Sequence, residues 1–182
     1  MKSASPDSLD WTQTLRKLYA RMLKLYQTSA TNAADSLTFE EKKFLAGIGL
    51  TPIQLIDYVE DVARAGEPSW EMYLLLAAER RDYFLFVQNS VTSSEKIDNS
   101  DIPAKKDELG GISWLPRIIY KAEHFLKGRL DAELMFGCGG DRPFLKSHGL
   151  NLADFLRMVR ALDGDPEKVL GAFKSRSTQF QK

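Results

Sequence analysis

Apolar residues recur along this chain three or four positions apart, and the recurrence stops and restarts at glycines, prolines and small polar caps. Trp11, Leu15, Leu18, Met22 and Leu25 line one face of an opening helix that starts after a cap near Ser8 or Asp10. A second start falls between Asp35 and Thr38, where Glu40, Glu41, Lys42 and Lys43 form an exposed charged face beside Phe39, Phe44 and Leu45. Thr51 caps the next helix with Pro52 in its first turn, and Leu55, Ile56, Val59 and Val62 form its stripe. Ser69 then caps a long segment from Trp70 to about Val87, with Tyr73, Leu74, Ala77, Ala78 and Phe84 available for burial. The tail Tyr83-Phe84-Leu85-Phe86-Val87 is apolar all round, and periodicity alone admits a short strand there. Glu79-Arg80-Arg81-Asp82 leads into it without a turn signal, so the expectation is a helix buried between the two halves of the chain.

From Thr92 to Glu108 the residues carry too few apolar side chains to order themselves and read as a linker. Beyond it Leu115, Ile118, Ile119, Ala122, Phe125 and Leu126 make the clearest stripe in the chain, with Ser113 as cap, Pro116 in the first turn and Gly128 as stop. The opposite face of that helix carries Arg117, Lys121, Glu123, His124 and Lys127. The expected fold class is all-α, a helical bundle built from two internally repeated halves. Residues 1–91 form an N-terminal helical repeat, 92–108 a polar linker and 109–182 a C-terminal helical repeat, and the two repeats can pack as one unit.

The repeat is read from stops and caps more than from stripes, because any two amphipathic helices share stripes. Phe44, Leu45, Gly49, Leu50 and Val59 recur as Phe144, Leu145, Gly149, Leu150 and Val159, each 100 residues further on. Gly49 and Gly149 stand where a helix ends in the left-handed conformation that glycine adopts without strain. Two positions later come the caps Thr51 and Asn151, the latter with Asp154 in the first turn. Phe155, Leu156, Val159 and Leu162 match the stripe of the first copy, and each copy closes on glycine, an acid and proline: Gly66-Glu67-Pro68 and Gly164-Asp165-Pro166.

Composition narrows the classes. The 182 residues carry 25 Lys plus Arg against 25 Asp plus Glu, so no global basic field draws nucleic acid or an anionic membrane. The single cysteine, Cys138, excludes an internal disulfide and a multi-cysteine zinc site, and a reducing cytoplasm fits it best. The start Met1-Lys2-Ser3-Ala4-Ser5-Pro6 has no apolar signal core, and no segment approaches the ~20 apolar residues that cross a bilayer. Neither a metal nor a cofactor is implied, because the two histidines and the cysteine lack ligand spacing.

One stretch concentrates the chemistry. Phe136-Gly137-Cys138-Gly139-Gly140-Asp141-Arg142-Pro143 precedes a helix, and its glycines let backbone amides converge on an anion at a helix N-terminus. Arg117 and Lys121, one turn apart, could reach the same ligand, and a thiol so placed could be activated. The plainer reading is the stronger one: a tight turn, Asp141 capping the helix, and a basic pair facing water. His148 corresponds to Ile48 and belongs at the margin of the core, whereas His124 belongs in solvent among charged neighbours. The cluster Tyr83, Phe84 and Phe86 reads as core rather than as a base-stacking platform.

A resemblance adds to this reading. Leu109-Gly110-Gly111, Leu115-Pro116-Arg117, Lys121, a glycine-closed helix, Cys138 and Asp141 are followed by Phe144, Gly149-Leu150 and Gly164-Asp165-Pro166-Glu167. In that order they resemble the bacterial family known as domain of unknown function 5069, over about Asp107 to Phe173. The resemblance implies a small helical domain in which Arg117, Lys121, Cys138 and Asp141 match recurring polar positions, and it implies no reaction. The N-terminal half looks like a diverged copy without a Leu-Pro-Arg motif. Phe173 stands where the family tends to tryptophan, which bears on how the last helix packs.

Two functions follow as expectations. The first is a cytoplasmic, non-catalytic binding or adaptor module acting through a protein partner or a homodimer. The alternative is a small-molecule protein or enzyme taking an anionic ligand at Arg117, Lys121, Cys138, Gly139, Gly140, Asp141 and Arg142; no catalytic constellation selects a reaction.

Overall fold

The computed structural model describes residues 10–28, 33–95, 97–131 and 134–180. They divide into two units, Met1–Thr92 and Ser93–Lys182. The fold is all-α, with one two-strand hairpin of two residues per strand among the described residues.

In the first unit α1 (Asp10–Thr28) turns Trp11, Leu15, Leu18, Tyr19 and Met22 inward, at the helical spacing of the sequence pattern. Leu25 is only half-buried, and the expected cap at Ser8 lies outside the described residues, as do Met1 to Pro6 and Lys96. A 3-10 turn at Ala33–Ser36 leads to α2 (Phe39–Gly47), where Thr38 and Glu41 form a reciprocal capping box. The same device, Thr51 with Gln54, starts α3 (Pro52–Ala65), and Ser69 caps α4 (Trp70–Phe86) by accepting from the Met72 amide. Helices α1 and α3 pack together, and Tyr19, Tyr58, Trp70 and Tyr73 form an aromatic cluster with ring centroids 5.1–6.0 Å apart.

The apolar tail of α4 is helical as far as Phe86, but its end is not buried. Phe86 is 73% exposed and Val87 52%. Phe84, on the face of α4 that carries Tyr73, Leu76, Ala77 and Arg80, is buried instead.

The second unit opens with residues that lack regular structure apart from a 3-10 turn at Asn99–Asp101. Arg129 ties this stretch down by donating to Ser93 Oγ at 2.9 Å and pairing with Glu95 at 2.7 Å. Strands β1 (Glu108–Leu109) and β2 (Ile112–Ser113) pair through Gly110 and Gly111, both at positive φ, which is the hairpin geometry glycine favours. Helix α5 (Leu115–Lys127) buries Leu115, Ile118, Ile119, Ala122, Phe125 and Leu126 and packs on α7 (Leu152–Ala161), with α6 (Asp141–Ser147) and α8 (Pro166–Phe180) completing the unit. Each large apolar side chain so buried contributes roughly 1.5–3 kcal/mol of transfer free energy.

Ser113 does not cap α5. It lies in β2, where its hydroxyl donates to Glu108 at 2.8 Å, and Trp114 occupies the cap position with no side-chain cap bond. Gly128 ends α5 in the left-handed conformation, and Asn151 caps α7 by accepting from the Asp154 amide at 2.9 Å. Phe173 packs fully buried against Phe144 and Phe155, so phenylalanine suffices to seat the last helix. No helix among the described residues is long and apolar enough to cross a membrane.

Candidate functional site

Lys121 is not on the water-facing side of α5. It sits between Ile118 and Phe125 on the inward stripe and is 2% exposed. Its ammonium donates to Oδ2 of Asp141, the first residue of α6, which is itself 0% exposed, and also to Sγ of Cys138 at 3.3 Å. Two further donors complete the carboxylate: the Trp114 indole reaches Oδ1 at 2.9 Å and the Gly137 amide reaches Oδ2 at 2.8 Å. A buried carboxylate with a cation and two neutral donors has its desolvation offset by partners on every side. Asp141 therefore looks back into the loop rather than capping α6, whose cap position is held by Gly140 without a side-chain bond.

Trp114 is held in an unfavourable backbone conformation to make this contact. Its φ of 72° lies in the left-handed region, which costs a bulky residue about 1–3 kcal/mol. The ring then packs against Gly140: a Cβ at position 140 would come within 2.6 Å of it, so only glycine fits. Lys105 sits over the Trp114 ring, its Nζ 5.7 Å from the centroid.

The expected ligand set is thus brought together in part. Lys121, Cys138 and Asp141 are in direct contact, and Gly140 lies under Trp114. Arg117 goes elsewhere, donating to the Pro103 carbonyl at 2.8 Å, and Arg142 donates to the Gly137 carbonyl at 2.8 Å. The amides of Asp141 and Arg142 both point at the Cys138 carbonyl, at 2.9 and 3.2 Å, and Gly139 is exposed beside the half-buried thiol. Among the described residues no group of three or more His, Cys, Asp or Glu is placed to hold a metal ion.

Spacing along the chain points neither to Trp114 nor to a second ion pair. In the first unit Arg21 grips Glu41 through both carboxylate oxygens, at 2.9 and 2.5 Å. Position for position this pair stands 100 residues before Lys121 and Asp141. It is 43% and 24% exposed in its side chains.

Of the two histidines, His124 departs from expectation and His148 lies at the margin of the core as expected. His124 is half-buried rather than solvated, packs its ring against Tyr120 with centroids 4.2 Å apart and leaves Nδ1 without a partner; burial lowers its pKa. His148 is half-buried, with Nδ1 2.8 Å from the Phe144 carbonyl and its ring against Phe144 and Phe173. Arg80 is 1% exposed, donating to Gln88 at 2.7 Å above the Phe84 ring, and burial pushes its pKa down to about 10. Asp57 on α3 is pushed up to about 7 by burial and by the carboxylates of Glu60 and Asp61.

No family model matches the chain, and neither does any curated protein or solved structure.

Proposed function

We propose that the chain is a helical interaction module that associates with a protein partner, a second copy of itself included, through the apolar segment ending α4. The observation that carries this reading is the exposure of Phe86 at 73%, Val87 at 52% and Val91 at 67%, within six residues of one another. Asn89 and Ser90, at φ 50° and 61°, hold the turn between them, so the segment is shaped rather than frayed. Apolar side chains grouped in this way mark interaction surfaces in soluble proteins.

The alternative, an anionic ligand at the Arg117, Lys121 and Cys138–Arg142 set, has less support. Arg117, Lys121 and Arg142 already donate to acceptors of the protein itself. An anion would have to displace these bonds, with little net gain per exchange. Cytoplasmic location, kinship with the family of unknown function over residues 107–173, and descent of the two units from one duplicated helical domain belong to the same proposal.

Light scattering coupled to size exclusion, with a pull-down from the native host, tests it. Phe86→Ser with Val91→Ser is expected to abolish dimerisation or partner capture while leaving the helical circular dichroism signal intact. A wild-type chain that is strictly monomeric and captures nothing refutes the reading.

A further inference from the structure

The thiol of Cys138 and the amine of Lys121 lie 3.3 Å apart, and the amine is also bound to a buried carboxylate. Cys138 is half-buried beside the exposed Gly139, so a small oxidant reaches the sulfur, while Lys121 is 2% exposed and cannot swing away into solvent. Nucleophile, electrophile precursor and proton acceptor are therefore fixed side by side before any reaction. We infer that peroxide converts this contact into a covalent Lys121–Cys138 cross-link through a sulfenamide bond.

The steps balance. Sulfur of the Cys138 thiol attacks hydrogen peroxide as the O–O bond breaks, the thiol proton leaves with the displaced hydroxide as one water, and the product is the sulfenic acid; sulfur is oxidised and peroxide reduced. The Lys121 ammonium hands a proton to Asp141, with which it is already in contact. The freed amine attacks the sulfenic sulfur, forming S–N as S–O breaks, and the oxygen leaves as a second water with the hydroxyl proton and one from the nitrogen. One peroxide is consumed, two waters are released, and Asp141 ends as a neutral acid. The buried ion pair is exchanged for a covalent link without leaving a lone charge in the interior, which is why this site tolerates loss of the ammonium. Its indole donor from Trp114 and the Gly137 amide remain in place for the carboxyl oxygens. The link would join α5 to the loop that enters α6.

Treating the intact protein with hydrogen peroxide and mapping its peptides by mass spectrometry tests the inference. The expected product is a joined Lys121–Cys138 peptide about 2 Da lighter than its two parts, with parallel loss of maleimide labelling. Cys138→Ser and Lys121→Arg each abolish the joined peptide. Cys138 oxidised to sulfenic, sulfinic or sulfonic acid without cross-linking to Lys121 overturns the inference, and so does a thiol that stays reduced. The wild-type map decides the matter even where Lys121→Arg fails to fold.

Discussion

Arg21–Glu41, between α1 and α2, and Lys121–Asp141, between α5 and α6, stand 100 residues apart in the sequence and differ in their exposure to solvent. The first keeps 43% and 24% side-chain exposure, the second 3% and 0%. Their neighbours make the difference. At positions 39 and 40 the first unit has Phe39, 76% exposed, and Glu40, whereas the second has Gly139, which is exposed, and Gly140, against which the Trp114 ring packs. Glu41 spends its reach on the capping box with Thr38, while the shorter Asp141 folds back to the Gly137 amide. One ionic arrangement can thus serve as a surface clasp or as an internal polar centre, according to whether a glycine admits an aromatic side chain beside it.

Removing one member of each pair gives the largest contrast. Asp141→Ala strands a buried ammonium and two donors and is expected to destabilise the protein by about 3–5 kcal/mol, whereas Glu41→Ala costs about 1 kcal/mol, mostly through the lost cap. Urea melts of the two variants measure this, and equal losses would erase the distinction between clasp and centre.

A smaller effect separates the units by pH. Asp57 stands where the second unit has Arg157, which pairs with Asp154 at 3.6 Å. The folded carboxyl of Asp57 holds its proton to about 7 against 3.8 for the free group, so the native state binds the extra proton between those values. Stability from this residue is fully present below the unfolded pKa and is lost as pH rises through about 7. The urea midpoint should fall between about pH 5 and about pH 8 in the wild type, with this component absent in Asp57→Asn. A variant with the full wild-type slope would assign the dependence to another group.

Smallest is the loss of Arg21. Arg21→Ala is expected to cost under about 1 kcal/mol, and raising salt should shrink the difference from wild type, since an exposed pair is screened. A salt-insensitive loss above about 2 kcal/mol would mean that the surface pair behaves like its buried counterpart.

Much of this architecture was legible in the residues. The caps Thr38, Thr51, Ser69 and Asn151 and the stops Gly49, Gly66, Gly128 and Gly149 fall where local chemistry places them. The matched helix ends are alike in detail: Leu50 donates to the Leu45 carbonyl at 2.9 Å and Leu150 to the Leu145 carbonyl at 3.0 Å. Lys121 was also within reach, because it falls on the stripe between Ile118 and Phe125, but its charge argued for solvent.

The sequence by itself determined where each helix begins and ends and which stripe it buries, because those outcomes depend on groups within about four residues of one another. Tertiary structure alone decided that Trp114 would bond Asp141 across 27 residues, that Lys121 would be buried, that Arg117 would turn to Pro103 and that Phe86 would stay exposed. A polar side chain settles wherever its desolvation is best offset, and the partner that offsets it is supplied by packing between distant segments rather than by spacing along the chain.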